Sequence, residues 1–93
     1  ELLIKLKEVF SEQPQVRCMT ALESQGVEFD VVCVVGISDE LIPDQSRYAG
    51  ISEVYYQRKR INKDLLYVAL TRAMRELCVF GSHPLQDIIT KLS

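Results

Sequence analysis

Apolar and polar positions alternate with two different periods along the chain, and the changes of period mark its elements. In "ELLIKLKEVF" apolar residues fall at positions 2, 3, 6, 9 and 10 with lysines between them, the spacing of an amphipathic helix. After Pro14, "QVRCMT" alternates and predicts a short strand. "FDVVCVVGI" is a nearly continuous apolar run, as in a strand buried on both faces of a helix-covered parallel sheet. Between the two lies "ALESQGVE", too short and too punctuated by Gly26 for a crossover helix. Residues 38 to 51, with Asp, Pro43, Ser and Gly50, read as loop. A long helix is expected from Ser52 or Arg58 to about Arg75, burying Ile61, Leu65, Val68, Ala69 and, at its end, Met74. "ELCVFG" predicts a second buried strand ending at Gly81, and "HPLQDIITKL" a final helix opened by Pro84.

The order helix, strand, turn, strand, loop, long helix, strand, helix predicts an α/β fold with a mostly parallel sheet and flanking helices. Ligands of such sheets gather at the carboxyl ends of the strands. That expectation selects Thr20 to Glu28, Gly36 to Glu40 and Gly81 to His83, and the first segment is the richest in polar groups.

Composition narrows the picture. Ninety-three residues make one domain or part of one. The chain opens at Glu1 in helix-like sequence, which suggests excision from a longer polypeptide. No apolar run approaches the roughly 20 residues of a membrane span, and no secretory signal is visible. Cys18, Cys33 and Cys78 are isolated among apolar neighbours and read as small core residues of a cytoplasmic, reducing compartment, with no metal or disulfide role. The lone histidine, His83, precedes Pro84 in a turn and is not expected to be catalytic. A net charge of −2 gives no global basic footprint for nucleic acid. Six of the eleven basic residues nevertheless lie between Arg58 and Arg75 with a single acid, Asp64, among them. A solvated helix face is the ordinary explanation of such a cluster.

The four glycines fit neither GxxxxGK[ST] nor GxGxxG, so no phosphate-cradling loop is present. "VVGISDE" superficially has the form of a strand ending in magnesium-positioning acids, but such acids need that loop as a partner.

Two segments together carry a more specific signal. "MTALESQGVEFDVVCVVGISDELIP" resembles motif V of UvrD/Rep-like superfamily 1 helicases, whose pattern is T-x-x-x-x-K/Q-G-x-E-F. "INKDLLYVALTRAMRELCVFG" resembles motif VI, whose core is L-x-Y-V-x-x-T-R-A followed by a strand. The motifs occupy about residues 19–30 and 61–73, and the wider resemblance covers roughly 17–43 and 61–81, about half the chain.

The resemblance implies a partial RecA-like (P-loop NTPase-like) domain, with residues 1–93 forming the C-terminal part of the second motor domain. The first motor domain, absent here, would supply the phosphate loop and hold Mg²⁺, and this chain would be one wall of an ATP site. Arg72 would be an arginine finger reaching the γ-phosphate, with Thr71 and the preceding helix holding it. A planar, permanently charged fork suits a phosphoryl group that accumulates charge on its outer oxygens. Glu28 would contact the ribose, Gly26 would allow close approach of the backbone, and Gln25 would complete the nucleotide-binding set at a position that is lysine in many relatives and glutamine in others. Thr20 would lie near a single-stranded DNA track, although the residue also suits a turn cap. Arg75 has no assigned role, and Tyr67 is expected to pack against the sheet.

There are departures. Leu22 stands where relatives often have histidine, and Asn62, Lys63 and Asp64 stand where they often have Glu and paired Arg. Those helix-surface changes imply altered salt bridges. The resulting expectation is a fragment of an ATP-dependent DNA helicase or translocase that works with single-stranded DNA and the N-terminal RecA-like domain of its parent. By itself the fragment would be inactive. A catalytically inactive RecA-like scaffolding module is the alternative, and a stand-alone α/β interaction domain is a third.

Overall fold

The computed structural model describes residues 2–48 and 50–93; Glu1 and Ala49, which fall in the expected first helix and in the expected loop, lie outside them. The elements are helix α1 (Leu2–Val9), strand β1 (Phe29–Ile37), two short 3₁₀ turns (Asp39–Leu41 and Gln45–Tyr48), helix α2 (Ser52–Leu70), strand β2 (Ala73–Gly81) and helix α3 (Leu85–Leu92). β1 and β2 pair in parallel, and α2 is the crossover that parallel pairing requires. The class is α/β, as the alternation of periods predicts.

α2 and α3 cover one face of the two-stranded sheet. Ile37, Leu66, Ile88 and Leu92 are the buried core, and Val34, Leu70, Val79 and Leu85 pack around them. Residues paired in register share a face, so the opposite face carries Val31, Cys33, Val35, Cys78 and Phe80. Val31 is 49% exposed and Phe80 57%. β1 is therefore not buried on both faces as its composition predicts: a continuous apolar run states what a strand can bury, and two strands with helices on one side bury only half of it.

Four other expectations are corrected. Residues 16–20 have no regular secondary structure, so "QVRCMT" forms no strand; alternation alone does not make a strand, and this segment pairs with neither edge of the β1–β2 sheet. α2 stops at Leu70 rather than near Arg75, which places Met74 and Arg75 in β2. Leu66 is the buried residue of α2, whereas Ile61 and Tyr67 are substantially exposed. The cysteines are free and outside the core, Cys33 exposed and Cys18 and Cys78 half-buried.

Candidate nucleotide and nucleic-acid site

The segment between Thr20 and Glu28 is a compact turn. Thr20 and Glu23 form a reciprocal capping box: the Thr20 N–H donates to Glu23 Oε1 at 3.0 Å, and the Glu23 N–H donates to Thr20 Oγ1 at 3.2 Å. Buried Ser24 donates its hydroxyl to the Ala21 carbonyl at 2.6 Å. Gly26 closes the turn at φ +78, a left-handed conformation suited to glycine, and no atom lies within 4 Å of where a Cβ would sit. Gln25 and Glu28 flank it with exposed side chains.

The Thr20 backbone N–H, and secondarily its hydroxyl, hold the Glu23 carboxyl below the usual glutamate range. A depressed pKa in the folded state means that this contribution to stability is present above the unfolded pKa and is lost as pH falls through the folded one. Carboxyl NMR titration is expected to place the Glu23 midpoint below that of an ordinary glutamate and, in Thr20→Ala, which removes the hydroxyl but keeps the backbone N–H, to raise it only part of the way back. A wild-type midpoint in the ordinary glutamate range would mean that the box does not form.

The second half of the site comes from the end of α2. The Thr71 hydroxyl shares its one proton between the carbonyls of Tyr67 and Val68, at 2.8 and 3.1 Å, beside the Thr71 backbone N–H that reaches the same two carbonyls at 3.1 and 3.3 Å. Half-buried Arg72 follows; its Nε donates to the Val68 carbonyl at 3.0 Å and its Nη2 to Thr71 Oγ1 at 3.2 Å. A guanidinium has five N–H donors, so most of the fork remains for an anion. The cation also sits favourably at the negative end of the α2 dipole.

One hydrogen bond joins the halves: the Phe29 N–H donates to the Arg72 carbonyl at 2.8 Å. It opens the ladder that continues as Phe29 beside Ala73, and it fixes Glu28, the residue before Phe29, beside Arg72. The meeting point is the amino end of the parallel pair, not the carboxyl end the strand pattern suggested. The reason is the missing first strand: without it, the turn leads into β1 instead of following a strand. Arg17, placed in that expected strand, lies with its guanidinium 5.7 Å from the centre of the Phe29 ring and adds a second cation nearby. Its position is set by stacking on Phe29, for which the sequence pattern carries no signal.

The sequence matches the UvrD-like helicase C-terminal domain family over residues 1–82. The chain belongs to that family. It is also similar to the ATP-dependent DNA helicase Rep of Salmonella typhimurium, 39% identical over 66 residues, which cover 71% of this chain and 9% of that relative. This UvrD-like domain thus spans less than a tenth of the relative's length.

At the other end of the sheet of this helicase domain, His83 Nε2 lies 3.0 Å from Asp39 Oδ2 and Ser82 Oγ lies 2.9 Å from His83 Nδ1. The row has the residue types of a hydrolytic triad but not its surroundings. The N–H groups of Ser82 and His83 both donate to the Ile37 carbonyl, so neither is free to stabilise an oxyanion. Lys91 Nζ, 3.5 Å from Asp39, completes a surface clasp between the loop after β1 and α3.

Among the described residues no group of three or more His, Cys, Asp and Glu could hold a metal ion, and no helix is long and apolar enough to cross a membrane.

Proposed function

We propose that this UvrD-like domain is the C-terminal motor piece of an ATP-dependent superfamily 1 DNA helicase or translocase and contributes one wall of its ATP site. The observation that carries the reading is the Phe29 to Arg72 hydrogen bond, which seats the motif V turn and the motif VI arginine at one end of the sheet. The residues suit a nucleoside triphosphate. Gly26 leaves open backbone, Glu28 can accept hydrogen bonds from ribose hydroxyls, Gln25 offers amide donors, and Arg72 keeps spare donors for phosphate oxygens.

When bound, ATP with its Mg²⁺ supplies the phosphoryl group that passes to water. Arg72 then acts as an arginine finger, its fork braced by Thr71 and Val68 and aimed across a cleft closed by the N-terminal RecA-like domain of the parent, which also holds the Mg²⁺. Contacts made by Arg72 and Glu28 only when the cleft is shut bias the domain equilibrium by nucleotide state. Thr20, at the lip of the same turn, borders the single-stranded DNA track.

The test is ATP hydrolysis by the full polypeptide that carries this chain, with and without a single-stranded oligonucleotide. Hydrolysis stimulated by the oligonucleotide is expected. No hydrolysis under either condition would favour an inactive RecA-like scaffold instead.

A further inference from the structure

One side of α2 carries a row of aromatic and basic side chains that takes no part in the nucleotide site, with Tyr56, Arg60 and Tyr67 exposed and Lys59 and Lys63 half-buried at its edge toward the core. Tyr56, Lys59, Arg60, Lys63 and Tyr67 recur at steps of three and four, which places them on one strip about 16 Å long at a rise of 1.5 Å per residue. Tyr56 is 60% exposed and Tyr67 42%. The acids of α2, Glu53 and Asp64, fall roughly 60–90° around the helix from the middle of the strip at 100° per residue.

The aromatic end of the strip is braced. The Tyr56 ring meets Tyr55 edge-on with centroids 5.1 Å apart, and Tyr55 in turn packs at 6.1 Å against Tyr48 of the second 3₁₀ turn. Lys59 Nζ sits 6.0 Å from the Tyr55 ring centre, which anchors its stem over the cluster. A solvated helix face needs charges but has no use for two exposed tyrosines flanking three cations.

From this strip we propose a second contact surface for single-stranded nucleic acid, with Lys59, Arg60 and Lys63 meeting successive phosphates and Tyr56 and Tyr67 offering rings for unpaired bases. The proposal rests on the reading of the parent as a nucleic-acid motor and adds to it a track outside Thr20. Backbone charge and base faces are what the strip can recognise, so it discriminates little among sequences. Because α2 ends at Leu70 and is capped by Thr71, the strip leads toward Arg72, along an element that serves both sites.

The experiment measures binding of fluorescein-labelled oligo-dT and oligo-rU to the full polypeptide without nucleotide, by anisotropy over a range of salt. In Lys59→Gln/Arg60→Gln/Lys63→Gln, affinity is expected to fall tenfold or more, and the slope of log affinity against log salt to shrink by about 2, since each single-strand phosphate contact contributes about 0.7. Tyr56→Ala should weaken binding about fivefold or more with the slope retained, and Tyr56→Phe should restore it. Tighter binding of oligo-dT assigns the surface to DNA, and tighter binding of oligo-rU assigns it to RNA.

Lys5→Gln/Lys7→Gln on α1 serves as the charge control. Equal losses in that control, unchanged affinity and slope in the triple variant, or a preference for duplex would each overturn the proposal while leaving the motor reading in place. A wild-type polypeptide that binds neither oligonucleotide would remove both.

Discussion

Replacing Arg72 by alanine in the full polypeptide is expected to lower DNA-stimulated ATP hydrolysis about 10³-fold while changing the KM for ATP far less. An arginine finger acts on charge that builds up in the transition state, so its removal falls on kcat. The bonds from Arg72 to Val68 and Thr71 allow a competing role as a helix end-cap. Loss of a charge-assisted contact of that kind costs about 1.5–3 kcal/mol of stability and would leave most of the rate intact in a folded protein. Arg72→Lys separates the two: it keeps the charge at the end of α2 but not the planar fork, and should recover little hydrolysis. A rate within a few fold of wild type for Arg72→Ala would take this residue out of the site.

The position of Arg72 also shows where sequence reasoning reaches and where it stops. Apolar steps of three and four run on through Met74, so periodicity alone carries the long helix past Arg72. The helix ends earlier because Thr71 turns its hydroxyl back onto the carbonyls of Tyr67 and Val68 and because the next carbonyl, that of Arg72, is claimed by Phe29. The first cause is local and could be suspected from a β-branched hydroxyl residue at that point. The second is a contact across 43 positions of sequence and leaves no local trace.

The same division explains the unpaired segment 16–20 and the half-covered sheet. Alternation reports which face a strand could bury, while pairing and cover depend on partners elsewhere. α1 is the clearest case: its amphipathic period is plain, yet none of its residues is buried. The strand-end rule selects the segment that holds Gln25, Gly26 and Glu28, but the separate role of each comes only from the motif resemblance, because a short polar turn has no period to read. The strip on α2 was visible as a basic cluster, but its tyrosines stood out only once their exposure was known.

A change in the last residue of β2 should be the most damaging to the fold. Gly81 pairs with Ile37, and a Cβ added there would lie 2.6 Å from Ile37 Cβ and 2.7 Å from its carbonyl carbon, and would also strike its carbonyl oxygen. These are backbone or backbone-linked atoms of a residue that is 1% exposed at the centre of the core. Nothing flexible can move aside. Relief requires shifting the end of β1 away from β2, which breaks the bonds that Ser82 and His83 donate to the Ile37 carbonyl at 2.9 and 3.3 Å. Overpacking and the lost hydrogen bonds together should cost about 3 kcal/mol in Gly81→Ala. By contrast, Gly26→Ala meets open space and bears only the strain of its positive φ, about 1 kcal/mol. Hydrogen exchange at the Ser82 and His83 amides reads the difference directly, because opening of this corner exposes them. Exchange about 100-fold faster in Gly81→Ala is the expected result at 1.4 kcal/mol per factor of ten. Protection equal to wild type would mean that the added Cβ is accommodated without separating β1 from β2 at this end.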